Sequence, residues 1–285
     1  MLLPQFYVND IICRALEEDI NYLDVTTDYL VEDDARSEAI FLAKDEGIVA
    51  GLEIALQVFK FIDSEAETVC LVKDGDFVKK GDILARISGR TKTLLKGERT
   101  ALNLVQHMSG IATSTNHCVK LVEGTRASIT DTRKTLPGLR ALQKYAVVVG
   151  GGRNHRFNLS DGAMLKDNHI DAYGSLTNAV KALRAKVGHM VKIEVETRTL
   201  EELEESLAVK ADVIMLDNMD CPTMKKAVEI TAGRALLEAS GNVTLDNIRD
   251  VAETGVDIIS LGALTHTVKC FDISMKIKAA GTSVL

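Results

Sequence analysis

The chain has 285 residues, of which 46% are hydrophobic and 26% charged, and its net charge is −7. This length can bury a large core in one or two domains, and the composition is that of a globular protein. The acidic balance argues against non-specific nucleic-acid binding, and no apolar run approaches the roughly 20 residues of a membrane span. No signal peptide is expected, because acids closely follow the first apolar residues. Five scattered cysteines without a Cys-x-x-Cys pair favour free thiols and a cytoplasmic protein over a disulfide frame or a zinc site.

Residues 1–115 are predicted to form a first domain that mixes helices with extended segments. A helix is expected at about 8–19 and another at about 52–62, and a short strand is expected between two Gly-Asp turns in 73–82. The remaining predictions are extended stretches at 36–44 and 67–72 and a long helix at about 97–122, opening with Gly97-Glu98-Arg99-Thr100. Residues 271–278 have strand or helix character, so 271–285 are a candidate for rejoining this domain.

From residue 127 onward, short apolar runs alternate with amphipathic helical stretches, and after the first interval they recur at the length of one βα unit. The runs look buried on both faces, as parallel strands are, and each is followed by polar residues. Functional residues at the carboxyl ends of parallel strands are typical of a β/α barrel, predicted here over 116–270. The six recognisable strands are 127–130, 162–165, 191–195, 212–216, 235–239 and 257–261.

The basic residues are concentrated in one part of the chain. Residues 131–170 carry a net charge of +4, which leaves −11 for the rest. A basic island in an acidic protein predicts a small, highly anionic ligand, with a solvated surface patch as the alternative.

Arginine and lysine are the side chains that such a ligand would meet. The planar fork of arginine suits carboxylates and phosphates, whereas lysine acts as a point cation. Arg133 and Arg156 lie in the basic island, and Arg99 lies outside it. Lys134 and Lys166 each follow a predicted strand, although any one of these cations alone could be an ordinary surface residue.

Two acids and two glycine-containing turns complete the candidate site. Glu196 and Asp217 end successive predicted strands, so they could share Mg²⁺ with substrate phosphates, or could instead cap neighbouring helices. Ser240-Gly241-Asn242 is predicted to run into a helix at Thr244, and Gly262 follows the next strand. Backbone N–H groups at such turns can bind phosphate, with a plain tight turn as the alternative.

Long motifs in this sequence resemble the quinolinate phosphoribosyltransferase family, also called nicotinate-nucleotide pyrophosphorylase. They include Asp131-Thr132-Arg133-Lys134-Thr135 and the segment GGGRNHRFNLSDGAMLKDNHI at 150–170. The resemblance covers nearly the whole chain, with further motifs at 15–27, 47–55, 97–113, 192–197, 214–219, 237–242 and 261–277. Leu23 departs from the glycine usual in the family, outside the motifs that carry chemistry.

The resemblance implies an N-terminal α/β sandwich and an incomplete β/α barrel of six or seven strands. It implies a homodimer whose active sites are shared between chains, and leaves open whether dimers stack into hexamers. The implied substrates are quinolinate and phosphoribosyl pyrophosphate, with Mg²⁺ as cofactor, in the synthesis of nicotinate mononucleotide for NAD. Nucleic acid and membrane are not expected as partners.

The resemblance also implies roles for single residues. Lys134 would lie over the pyrophosphate, while Glu196 and Asp217 would meet the ribose and Mg²⁺; these three form the implied catalytic set. Quinolinate would be bound by Arg99 of the neighbouring subunit together with Arg133, His155, Arg156 and Lys166. The phosphates of the second substrate would be bound by Lys134, Ser240, Gly241, Gly262 and His266.

Three alternatives differ from this hypothesis in chemistry. The first is a relative of the same fold that acts on another acid, such as a nicotinate phosphoribosyltransferase or a molybdenum-transport paralogue. The second is a barrel lyase that uses Lys166 as a Schiff-base amine. The third is a carrier fold around residues 74–82, which lacks a lysine flanked by methionines at a hairpin tip.

Overall fold

The computed structural model describes residues 3–279. Contacts divide the chain into two compact units that alternate along the sequence. The first unit contains the chain up to Asn116, Thr135–Gly151 and the chain from Thr265 onward, and the second contains His117–Lys134 and Gly152–Leu264. Within the described range, none of the helices combines the length and apolarity needed to cross a bilayer.

The described residues contain both helices and strands, which alternate from β8 onward. In chain order they are α1 (Gln5–Asp19), α2 (Val25–Leu30), β1 (Arg36–Ala43), β2 (Gly47–Ile48), α3 (Leu52–Ile62), β3 (Glu67–Cys70), β4 (Phe77–Val78), β5 (Ile83–Arg90), α4 (Thr91–Leu121), β6 (Ser128–Thr130), α5 (Arg140–Val149), β7 (Ala163–Leu165), α6 (Asp167–Tyr173), α7 (Leu176–Arg184), β8 (Ile193–Thr197), α8 (Leu200–Ala208), β9 (Val213–Asp217), α9 (Cys221–Thr231), β10 (Leu236–Ser240), α10 (Ile248–Ala252), β11 (Ile258–Ser260), α11 (Ala263–His266) and β12 (Ile273–Ala279).

The first unit is built on an antiparallel sheet with the strand order β12-β1-β5-β3. Phe41 of β1 pairs with Met275 on one side and with Ala85 on the other. The Phe41 ring meets Phe59 of α3 edge to face, with the ring centroids 6.1 Å apart, so helix and sheet share one core. Within the predicted segment 271–285, Ile273–Ala279 is therefore a strand of this sheet, while 280–285 lie outside the described residues. The predicted α/β sandwich is confirmed.

Helix α4 begins at Thr91, so the prediction that it opens at Gly97 was wrong. Strand β5 passes directly into the helix, where the Thr91 N–H donates to the Ala35 carbonyl at 2.8 Å. Gly97 instead lies inside the helix, where a Cβ would come within 2.8 Å of the Phe59 ring. The glycine that suggested a helix start is therefore explained by close packing of α4 on α3.

The second unit is a six-stranded parallel sheet with the order β6-β11-β10-β9-β8-β7. All six predicted strands are present, within two residues of their predicted bounds. The first strand lies beside the last, as in a closed barrel, and the sheet is open between β6 and β7. This arrangement is the predicted incomplete β/α barrel.

The loop after β10 differs from its prediction. Helix α10 begins at Ile248 and has only five residues, whereas a helix was expected from Thr244. The Thr244 N–H donates to Asn247 Oδ1 at 2.8 Å, which closes a side-chain turn in place of a helical one. A helix N-terminus therefore does not follow Ser240-Gly241-Asn242 directly, and the argument for phosphate binding there loses that support.

Candidate active site

A cavity of about 380 Å³ opens at the carboxyl ends of the parallel strands. It brings together eight of the residues predicted from the sequence, contributed by five of the six strands or the segments that follow them. They are Arg133, Lys134, His155, Arg156, Lys166, Glu196, Asp217 and Ser240. The basic and acidic groups that were scattered along the chain therefore face one space.

Arg133 and Arg156 lie close enough to repel each other. Burial, followed by the like charge of Arg133, lowers the pKa of the Arg156 guanidinium. Arg156 Nη1 donates to the Gly162 carbonyl at 2.8 Å, which fixes one branch of its fork. Two guanidinium groups that oppose each other in a partly buried cavity favour an anionic ligand between them.

The segment that carries His155 and Arg156 is fixed to the open edge of the barrel. Arg153 forms a parallel bridge with Thr130 of β6, and its N–H donates to the Ile129 carbonyl at 2.8 Å. The His155 N–H then donates to the fully buried carboxylate of Asp131 at 2.9 Å. Pairing with β6 therefore carries the second half of the basic island into the cavity.

His155 contacts two buried acids, and one of them, Glu238, also lines the cavity. The His155 Nε2 lies 3.1 Å from Glu194 Oε2 and 3.4 Å from Glu238 Oε2. Its Nδ1 accepts the Arg156 N–H at 2.8 Å, so both ring nitrogens have partners within the protein. The imidazole is therefore held in one orientation by its neighbours.

His155 and Glu194 both have a raised pKa. Burial alone lowers the pKa of His155, but the hydrogen bonds and charges of Glu194 and Glu238 outweigh it and raise that pKa to about 10. Burial also raises the pKa of Glu194. Because the Arg156 N–H points at Nδ1, a proton shared between His155 and Glu194 lies at Nε2.

Lys166 and Glu196 form an ion pair across β7 and β8, with Nζ 2.6 Å from Oε2. Glu196 is largely buried, whereas Lys166 is nearly half exposed. Asp217 lies at the end of the next strand and accepts a hydrogen bond from Asn218 Nδ2 at 3.0 Å. The alternative that Glu196 and Asp217 cap helices is excluded, because Thr199 and Asp220 cap α8 and α9.

Four predicted site residues do not line this cavity. Gly241 and Gly262 follow β10 and β11 in the second unit without being part of the lining. Arg99, on α4, and His266, on α11, belong to the first unit.

The cavity also contains residues that were not predicted. Glu238 lines it together with Thr132, Met164, Met215 and Ser260. A sequence signal for Glu238 existed, because side chains alternate along a strand and Glu238 lies two residues before Ser240. Its exposed fraction of 1% could not be read from the sequence.

An incomplete parallel barrel with cations and carboxylates at the carboxyl ends of its strands defines an enzyme for a small, strongly anionic substrate. Residues 24–109 match the N-terminal domain of the quinolinate phosphoribosyl transferase family, and residues 111–276 match its C-terminal domain. The chain belongs to this family.

Individual relatives agree over almost the full length. A probable nicotinate-nucleotide pyrophosphorylase (carboxylating) of Bacillus subtilis is 46% identical over 94% of this chain and 92% of its own. The Mycobacterium leprae nicotinate-nucleotide pyrophosphorylase (carboxylating) is 45% identical over 93% and 95%. The crystal structure of NadC from Streptococcus pyogenes has a TM-score of 0.94 and 40% identity, covering 98% of this chain and 99% of that one.

Proposed function

We propose that the protein transfers phosphoribosyl from phosphoribosyl pyrophosphate to quinolinate, releasing pyrophosphate and CO₂ and forming nicotinate mononucleotide for NAD synthesis. The observation that carries the proposal is the convergence of Arg133, Lys134, Arg156 and Lys166 on one cavity that also contains Glu196 and Asp217. The four cations favour a ligand with several negative charges, and the two carboxylates favour a reaction in which positive charge develops. A dicarboxylate and a sugar pyrophosphate meet both needs.

Quinolinate binding is assigned to the basic side of the cavity. Arg133 and Arg156 can each form two parallel hydrogen bonds to a carboxylate, and a carboxylate between them relieves their mutual repulsion. Lys166 supplies a point cation, already balanced by Glu196. His155 supports this side through its ring and through the Arg156 amide.

The transfer step forms a bond from the pyridine nitrogen to the sugar C1 while the bond from C1 to pyrophosphate breaks. Positive charge develops on the sugar, as in other oxocarbenium-like transition states, so fixed carboxylates near it lower the barrier. Glu196 and Asp217 are the carboxylates assigned to this role. Lys134, after β6, is assigned to the departing pyrophosphate.

Decarboxylation follows from the same intermediate. The pyridine nitrogen is cationic once it bears ribose, so the ring can hold the electron pair left when the adjacent carboxylate departs as CO₂. A proton then replaces the carboxylate on that ring carbon. The protein must desolvate the leaving carboxylate and hold the second carboxylate of quinolinate in place. A cavity lined by arginines can do both.

Mg²⁺ is proposed as the cofactor, held by Glu196 and Asp217. Mg²⁺ prefers oxygen ligands and is often bound by one or two carboxylates plus substrate phosphates, which fits two acids beside a phosphate-binding cation. When bound, it would neutralise pyrophosphate charge. The cluster His155, Glu194 and Glu238 also offers three ligand atoms within 4.8 Å of one another, but a buried imidazole suits Mg²⁺ poorly. Loss of activity in excess EDTA, restored by Mg²⁺, tests the requirement.

A homodimer with shared active sites is proposed as the working assembly. Arg99 lies on α4 in the first unit, whereas the cavity belongs to the second. The first unit also exposes large apolar side chains around α1 and α2, which a second copy could cover. They are Phe6, Tyr22, Val25, Tyr29 and Leu30.

A cytoplasmic location is proposed from the cysteines. All five are free thiols in the structure, which suits a reducing compartment.

The function is tested by release of labelled CO₂ from quinolinate. The purified protein is incubated with quinolinate carrying label in the carboxylate next to the ring nitrogen, with and without phosphoribosyl pyrophosphate, in the presence of Mg²⁺. We expect CO₂ and nicotinate mononucleotide in equal amounts, dependent on the second substrate. Absence of both products would overturn the assignment.

A further inference from the structure

The carboxylate of Asp217 is held by a chain of side-chain amides. Asn218 Nδ2 donates to Asp217 Oδ2 at 3.0 Å, and Asn242 Nδ2 donates to Asn218 Oδ1 at 2.9 Å. Because a carboxylate can only accept hydrogen bonds, the nitrogen of Asn218 must face Asp217 and its oxygen must face Asn242. The chain of amides therefore has a single direction, ending on Asp217.

The backbone around these amides is specialised for them. Asn218 and Asn242 have φ values of 56° and 52°, in the left-handed region that asparagine tolerates better than most residues. The Asn218 N–H donates to the Ser240 carbonyl at 2.9 Å, which ties the end of β9 to the end of β10. Asn247 Nδ2 in turn donates to the Asn242 carbonyl at 3.0 Å.

Gly241 leaves room for the amide of Asn218. A Cβ at Gly241 would lie 2.2 Å from Asn218 Oδ1, closer than any two such atoms can approach. Gly241 also has a φ of 82°, which a side chain would strain. Space for Asn218 therefore explains this glycine without a phosphate.

We propose that Asn218, supported by Asn242, is a positioning residue that aims the Asp217 carboxylate at the ribose and metal ion of phosphoribosyl pyrophosphate. The inference rests on the proposed function for the role of Asp217. Arg198 offers Asp217 a weaker contact, because its Nε lies 3.8 Å from Oδ2 while its Nη2 pairs with Asp167 at 2.7 Å. Asn218 itself does not line the cavity, so it acts through Asp217.

Glycine variants test the amides without straining the backbone, because glycine adopts positive φ freely. We expect Asn218→Gly to lower kcat/KM for phosphoribosyl pyrophosphate about 10-fold, the value of one hydrogen bond to a charged group. Asn242→Gly should lower it by less, and Asn218→Asp by more, since it sets a second carboxylate against Asp217. The KM for quinolinate should stay within about 2-fold, because the basic side is untouched.

The matched control is Ala232→Gly, a residue with φ of 47° at the end of α9, which should leave both constants unchanged. Calorimetric binding of pyrophosphate with Mg²⁺ should weaken in the same order as kcat/KM. Wild-type kcat/KM in Asn218→Gly would overturn the inference, while the proposed function would stand.

A second experiment needs no substrate, so it separates this inference from the proposed function. Melting temperatures are measured for Gly241→Ala, Asn218→Gly and the double variant. We expect Gly241→Ala to lower the melting temperature by about 2–4 °C less in the Asn218→Gly background than in the wild type. The glycine at 218 has no side-chain amide for the new Cβ to collide with. Strictly additive effects would show that Gly241 is not shaped by Asn218. Failure of the wild type to release CO₂ would sink the proposed function and the role given to Asp217, while the contact between Asn218 and Gly241 would stand.

Discussion

Lys166 Nζ lies 2.6 Å from Glu196 Oε2, so a cation assigned to quinolinate is balanced by an acid assigned to ribose. The pair joins residues assigned to two different substrates, so each partner affects the other. A Glu196→Gln substitution separates the two roles because it removes the charge and keeps the shape. We expect turnover to fall about 100-fold or more, since the carboxylate stabilises charge in the transition state.

The same substitution should leave quinolinate binding intact or up to about 3-fold tighter, because Lys166 is freed from its partner. Calorimetry with quinolinate alone measures this affinity, and Glu204→Gln on the exposed surface of α8 is the control for a lost charge. Loss of quinolinate binding in Glu196→Gln would mean that the acid, and not only Lys166, holds this substrate.

Arg99 is predicted to serve the site of the neighbouring subunit. Arg99→Ala and Glu196→Ala should each be inactive alone. After subunit exchange, half of the dimers carry one chain of each kind, and each of these has one intact site, so about a quarter of all sites should revive. The measurement is CO₂ release after mixing, with exchange verified by mass. Continued inactivity after verified exchange would place Arg99 in the site of its own chain.

Gly110 packs against the backbone of the C-terminal segment in the first unit. A Cβ there would lie 2.3 Å from the Lys269 carbonyl oxygen, a backbone atom that cannot rotate away. We expect Gly110→Ala to lower the free energy of unfolding by about 1–3 kcal/mol despite the better helix propensity of alanine. Gly188→Ala is the control, because nothing lies within 4 Å of its Cβ. Urea denaturation compares the two, and equal stabilities would contradict the packing argument.

The His155 cluster predicts how stability depends on pH. The pKa of His155 is raised to about 10 in the folded protein, against about 6.5 when unfolded. A raised folded pKa gives stability that is complete below about 6.5 and is lost as pH rises through about 10. The wild type should therefore exceed Glu238→Gln in free energy of unfolding by less at pH 10 than at pH 6. Titrating groups that the two proteins share contribute equally to both and drop out of this difference. Denaturation at each pH measures it, and a constant or growing difference would refute the shared proton.

The second unit was predictable because each strand is a short apolar run followed by polar residues, a pattern that local sequence records directly. The positions of Glu196 and Asp217 at the cavity were predictable for the same reason, since both end such runs. Glu238 was missed because the residues around an acid in an apolar run do not show which side chain it contacts. Here that side chain is His155, on a distant segment. The start of α4 was missed because Gly97 is required by close packing against Phe59 of α3 and does not mark a helix start. The sequence does not reveal that contact.

Quinolinate should be a substrate, whereas nicotinate and nicotinamide should not. Arg133 and Arg156 together carry more positive charge than a monocarboxylate can neutralise, and burial already lowers the pKa of Arg156. A ligand that lacks one carboxylate leaves a desolvated arginine without a counter-charge from the ligand, which costs about 2–5 kcal/mol, or roughly 30-fold to several thousand-fold in affinity. Phthalate keeps both carboxylates and lacks the ring nitrogen, so it should bind as an inhibitor and never react. A competition series with these four compounds at fixed Mg²⁺ and phosphoribosyl pyrophosphate measures the ranking. If nicotinate were turned over as well as quinolinate, the assignment of a dicarboxylate to this cavity would be wrong, and a salvage enzyme would describe the protein better.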